Sequence, residues 1–143
     1  MKALGVMVVA AGLAGLAGCA TAPPPPPSAA MACPVGQEAR RTAQLFFGRN
    51  VDYKPAVSEN DFQAFIDKEL TPKFPDGLTV LDGGGQWRGA ENKLIREASK
   101  VVLIVLPKSR DVSGRIEAVR SAYKSRFHQD SVLLITQDSC VSF

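Results

Sequence analysis

Five consecutive prolines, Pro23–Pro27, decide how this chain can be divided. Each proline fixes its own φ and lacks a backbone donor, so the run favours polyproline II and cannot enter a helix interior or a central strand. Its neighbours from Thr21 to Ala32 are rich in alanine and proline and carry no charge. A ligand for a proline-binding partner domain would want a charged anchor beside the prolines, and none is there. The stretch reads as a stalk. At ~3.1 Å per residue, positions 20–32 could hold a folded region up to roughly 40 Å from whatever precedes them.

What precedes them is apolar. Lys2 is followed by an uninterrupted apolar and small-residue run from Ala3 to Gly18 that includes four glycines. Such a run is too short for a stable span of about 20 residues, and it has the positive start and small-residue exit of an export signal. The exit, Leu16-Ala17-Gly18-Cys19, resembles the lipobox of bacterial lipoproteins. That resemblance implies cleavage before Cys19 and acylation of its thiol and new amino group. The partner it implies is a membrane, reached through the lipid anchor on Cys19. Ala20 in place of an aspartate implies the periplasmic face of the outer membrane. The expected organisation is a lipoprotein signal peptide over 1–18, a lipidated stalk over 19–39, and a folded domain over 40–143.

The 143 residues carry 17 basic and 14 acidic side chains, a net charge of +3. Nucleic-acid binding would call for a clustered basic footprint, so no nucleic-acid partner is expected. Within the domain, Thr42 to Gly48 is short, aromatic and stopped by glycine, hence a strand. Ser58 and Asp61 form a capping-box pattern ahead of Phe62, Phe65, Ile66 and Leu70 at helical spacing, with Pro72 and Pro75 beyond. Leu78 to Leu81 starts a strand that Gly83-Gly84-Gly85 should bulge or twist before Gln86-Trp87-Arg88 resumes it. The chain turns at residues 89–92 and returns through Leu94–Arg96 and Val101–Leu106. Val112, Ile116, Val119, Tyr123 and Phe127 mark a second helix, and Ser131–Thr136 a last strand. The order β-α-β-β-α-β is the ferredoxin-like motif: an α+β fold, with an antiparallel four-stranded sheet and two helices on one face.

With Cys19 committed to lipid, Cys33 and Cys140 remain. In this topology the first and last strands are antiparallel neighbours, so the two thiols lie at one end of adjacent strands and are expected to form a disulfide. One histidine and no spare thiol give no reason to assign a metal or a cofactor. Val101–Leu106 and Val132–Ile135 are apolar on both alternating faces. Two helices cover one face only, so the other is expected to take a second copy (a homodimer), an envelope protein, the N-terminal segment or a ligand.

The cluster that most invites chemistry is Gln86, Trp87, Arg88, Arg96, Glu97 and Lys100 on the middle hairpin, with Arg49 at the end of the first strand. Two guanidinium groups beside one indole could grip a carboxylate or phosphate. The competing reading has Arg96 paired with an acid and Trp87 packed as core. Neither a G-x-S-x-G turn nor the spacing of a phosphate loop is present.

From Gln44 to Phe143 the chain resembles the domain of unknown function 3574 family of small exported bacterial proteins. The resemblance rests on Leu45-Phe46-Phe47-Gly48-Arg49, Val57-Ser58 with Asp61-Phe62, Thr71-Pro72-Lys73-Phe74-Pro75-Asp76-Gly77-Leu78-Thr79-Val80, Gly85-Gln86-Trp87-Arg88, Arg96-Glu97 with Ser99-Lys100-Val101, and Tyr123 to Phe127 with Gln129-Asp130-Ser131-Val132-Leu133. Ala98 stands where the family pattern leads one to expect proline. The family implies no reaction. The expectation is therefore a non-catalytic binding or structural domain, with a small enzyme of the dimeric α/β-barrel type, its pocket near the Trp87 hairpin, as the alternative.

Overall fold

A computed structural model describes residues 32–52, 54–89 and 92–143. The expected signal peptide, Cys19 and all but the end of the uncharged stalk lie outside these residues, as do Ala90 and Glu91 of the hairpin turn.

The domain opens with β1 (Glu38–Gly48), followed by a two-rung ribbon of β2 (Asn50–Val51) and β3 (Lys54–Pro55). Helix α1 (Glu59–Phe65) runs into a π-helical turn over Ile66–Leu70. The long hairpin of β4 (Thr79–Arg88) and β5 (Leu94–Val105) follows, then α2 (Val112–Phe127) and β6 (Leu133–Val141). The four long strands form one antiparallel sheet in the order β4-β5-β1-β6. This is the ferredoxin-like α+β arrangement that the sequence pattern indicated.

Local chemistry accounts for the element ends. The capping box forms as expected: the Asp61 amide donates to Ser58 Oγ at 3.1 Å, and Asp61 Oδ2 accepts from the Ser58 amide at 3.3 Å. Helix α1 is then widened by one residue, its last amide, on Thr71, donating to Ile66 O at 2.9 Å. This one-residue insertion accompanies the inward placement of Ile66, Leu70 and Phe74. Helix α2 ends where His128 adopts a left-handed φ of 52° and leaves its side chain exposed.

One face of the sheet is sealed. Ala43, Leu45 and Phe47 on β1 and Val102 and Ile104 on β5 are buried beneath the helices. Phe47, Phe65 and Tyr123 meet edge to face, Phe47 and Tyr123 with centroids 4.6 Å apart. The Tyr123 hydroxyl donates to Gly48 O at 2.7 Å, fixing α2 to the end of β1. Burial pushes its pKa well above the ordinary phenol value. Cys33 and Cys140 are joined, with Cα atoms 5.5 Å apart, beside the Ala39–Cys140 rung of the β1–β6 ladder.

Three differences from the sequence reading matter. β1 begins at Glu38, because Glu38 and Arg40 pair at 2.7 Å and Lys108 reaches Glu38 at 3.0 Å, which makes a charged segment compatible with a strand. β6 likewise extends through the polar residues Gln137, Asp138 and Ser139. The glycine triplet produces no bulge: Gly83, Gly84 and Gly85 pair one to one with Ser99, Ala98 and Glu97. The opposite face of the sheet remains uncovered among the described residues, leaving Leu81, Leu133 and Ile135 about half exposed.

Candidate functional site

Strand alternation sorts the candidate residues. Side chains at alternate positions point to opposite faces, and register fixes which face each one takes. Lys100 shares its side of β5 with the buried Val102 and Ile104, so it faces the helices. Arg96 and Ala98 have the same parity, as do their partners Gln86 and Gly84 on β4, and so does Arg88. Trp87 and Glu97 have the other parity and lie on the uncovered face.

The expected clamp of two arginines around Trp87 is therefore divided between the two faces. Arg88 is opposite Leu94, and its guanidinium bonds the Asn92 carbonyl and side chain at 3.3 and 3.2 Å. Trp87 is about half exposed over Ile95, which is buried. Glu97 accepts the Asn50 amide at 2.9 Å. Arg49 turns toward α1, donating to Val57 O at 2.9 Å and approaching Glu59 at 3.4 Å.

Two sets do converge on the helix-side face. The first is Arg96 with Gln86, joined through Nε at 3.0 Å. The second is centred on Lys100, whose buried ammonium lies 2.6 Å from Asp82 and 2.8 Å from Glu59, and 5.9 Å from the centroid of Phe62. The hydrogen bond from Lys100 holds the Asp82 carboxyl below its ordinary range. Hydrogen bonds to Asp82 and then Glu59 raise Lys100 in turn. Both charges thus persist through the physiological range. Arg49 adds a second cation at Glu59.

Between the two sets the floor is bare. Gly84 and Ala98 face each other across the hairpin, beyond the reach of the helix layer, and both are exposed. Gly84, Gly85, Gln86, Arg96, Glu97 and Ala98 line a shallow bay of about 430 Å³. Along the strand, Asp82 and Gln86 are four residues apart, ~14 Å. The bay has the Arg96 guanidinium at one end; Asp82 and Glu59, largely exposed and both paired with Lys100, stand outside its lining, beyond Gly84.

A second depression, of about 420 Å³, lies at the opposite end of the domain beside the start of α2 and includes Arg41 and Lys108. Its cations are engaged, Lys108 by Glu38 and Arg41 by the Thr136 hydroxyl. Among the described residues, no group of three or more His, Cys, Asp or Glu side chains is placed to hold a metal ion. Glu59, Asp82 and Gly84 were missed by the sequence reading. The alternate spacing Asp82-Gly84-Gln86 against Arg96-Ala98-Lys100 was the signal for Asp82 and Gly84, while Glu59, on α1, had none.

These features define a ferredoxin-like α+β domain with a small charged bay beyond its helix layer. The chain belongs to the family described as protein of unknown function (DUF3574), which matches residues 42–143. No curated protein matches it in sequence. Among solved structures it is similar to a phage SAM lyase in complex with S-methyl-5'-thioadenosine. The TM-score is 0.56 and the identity 20%, over 79% of this chain and 95% of that one. The apo state of a phage SAM lyase gives a TM-score of 0.57 and 21% identity, over 80% and 97% of the two chains. Such identities show a shared fold and transfer no residue role. They do correct the expectation of a non-catalytic domain, since this fold is shared with an enzyme along almost its entire length.

Proposed function

We propose that the domain is a small enzyme whose bay on the helix side of the β4–β5 hairpin holds an elongated small molecule. That molecule carries a carboxylate at one end and a positive centre toward the other. The carrying observation is the bare floor of Gly84 and Ala98 beside the Arg96 guanidinium. Arg96 has its Nε oriented by Gln86 and receives the carboxylate, where a forked guanidinium matches carboxylate geometry. Asp82 and Glu59, beyond the floor, are exposed but already shared with Lys100 and Arg49, so their pull on the positive centre is weak. SAM, named in the phage neighbours, carries a carboxylate on its amino-acid end and a sulfonium between that end and the adenosine, and is the probe of choice.

Asp82 and Lys100, beside the bay, keep their charges across the neutral range and contribute a fixed electrostatic frame. The reading extends to the anchor. The Cys33–Cys140 bond suits an oxidising compartment, in keeping with an exported lipoprotein acylated at Cys19 and held at the periplasmic face of the outer membrane. Mass spectrometry of the mature N-terminus decides that part; an unmodified Cys19 removes it.

The test of the bay is calorimetric titration of the purified protein with SAM and with S-methyl-5'-thioadenosine, together with mass-spectrometric measurement of SAM consumption. Loss of one charge-assisted carboxylate contact in Arg96→Ala should weaken SAM roughly 10- to 100-fold. Gly84→Val should block it without unfolding the sheet, because a Cβ at Gly84 meets nothing nearer than Glu97 O at 3.9 Å. Equal binding by wild type and Arg96→Ala removes the assignment of the bay. Binding without turnover removes the enzyme.

A further inference from the structure

We infer that the uncovered sheet face pairs with the same face of a second copy of this chain. The inference rests on the open face and not on the bay. Leu81 and Trp87 on β4, Leu103 on β5, Phe46 on β1, and Leu133 and Ile135 on β6 share this face. Leu81 is 53% exposed, Leu133 56%, Ile135 42% and Trp87 45%. A solvated antiparallel face ordinarily presents polar side chains at these positions.

Charge identifies the occupant. From Thr42 to Gly48 on β1, Thr79 to Trp87 on β4, Ser99 to Val105 on β5 and Leu133 to Gln137 on β6, no position on this face is charged. Among the described residues of this face, ionised groups stand only at the two ends. Glu38 and Arg40 pair with one another at one, and Glu97 lies at the other. An acidic or basic partner would find nothing to pair with. A second copy brings the same uncharged centre and meets it by two-fold symmetry, the commonest arrangement of soluble oligomers. With the axis across the strands, the Glu97 end of each copy lies over the Arg40 end of the other, and like charges are kept apart.

The area suits a reversible dimer. Four strands ~4.8 Å apart, with about three same-face steps of ~6.8 Å, give a projected footprint of roughly 400 Å². Pleating and side-chain relief add to this, so two paired faces bury upward of roughly 800 Å² in total, the range of a weak, reversible interface. Aligned sheets packed ~10 Å apart are an established way of closing such faces. The bays lie on the opposite, helix-side faces and stay open, so association and ligand binding can be measured separately.

The test is sedimentation equilibrium of the intact protein in density-matched detergent at micromolar concentration. Wild type should give twice the protomer mass. The double variant Leu133→Lys, Ile135→Lys should give a single protomer with unchanged circular dichroism and unchanged binding in the bay. Leu81→Glu, on the opposite edge strand, should do the same and decides the matter if the double variant fails to fold. A monomeric wild type, or a folded variant that remains dimeric, overturns the inference.

Discussion

Replacing Cys33 and Cys140 by serine should remove about 4.8 kcal/mol of stability at 25 °C. The bridge spans 107 residues, and the chain-entropy relation for a loop of that length gives this value. It is a large share of the 5–15 kcal/mol typical of a domain. For residues 33–143, an unfolding entropy of ~2.1 cal/mol/K per residue converts the loss to a fall of roughly 20 °C in melting temperature. The native contacts near the bridge survive the change. Ala39 still pairs with position 140, and the Gln37 amide still donates to Pro34 O at 3.1 Å. The effect should therefore lie in the unfolded chain, which gains freedom and exposes more surface. Urea titration reads both quantities: the midpoint gives the loss, and a steeper slope marks the more expanded unfolded state. A loss below ~2 kcal/mol with an unchanged slope would refute the loop-entropy reasoning for this protein.

Two further outcomes follow from buried and paired polar groups. Tyr123→Phe deprives Gly48 O of its hydroxyl donor at 2.7 Å and should cost about 1–3 kcal/mol in urea titration, while the aromatic packing is retained. Asp82 is held below its ordinary value of 3.8 by the hydrogen bond from Lys100. Its contribution is therefore complete above that value and is lost as pH falls through the lower folded pKa. Melting curves recorded from about pH 5 to 2 should fall more gently for Asp82→Asn than for wild type. Lys100 is raised, so its contribution is complete below its unfolded value of 10.5 and disappears as pH rises through the higher folded one. Asp82→Asn should accordingly soften the alkaline limb as well. Parallel wild-type and variant curves on both limbs would show that the pair contributes nothing to stability.

The parts of the fold written in local chemistry were legible. Ser58 and Asp61 announced α1 through their capping box, and the steps from Val112 to Phe127 announced α2. The disulfide was legible at one remove, since the order of elements places Cys33 and Cys140 at one end of adjacent strands. What stayed hidden depends on pairing. The segment Glu38–Arg41 looks like linker until Glu38 is seen between Arg40 and Lys108. The triplet Gly83–Gly85 suggests a bulge until each glycine is matched to a residue of β5. The site failed for the same reason. Gln86, Trp87 and Arg88 are adjacent in sequence, yet parity sends Trp87 to one face and its neighbours to the other. Glu59, which completes the Lys100 cluster, lies 41 residues away on another element.

Register also explains how one thin domain can present two unrelated surfaces. On the helix side, α1 and α2 stop short of the hairpin tip. The long β4 and β5 carry Gly84 and Ala98 past them into solvent, between groups whose charges are already oriented by Gln86 and Lys100. On the other side the same strands present no charge across four adjacent positions in the sheet. The proposed ligand and the proposed second copy would thus address opposite faces of the same backbone, and a one-residue slip of β4 against β5 would exchange those faces. Such a slip would take Lys100 out of reach of Asp82 and would carry Trp87 to the bay side. The Asp82–Lys100 pair at 2.6 Å is one of the contacts that the observed register allows, beside the burial of Val102 and Ile104 on the same face.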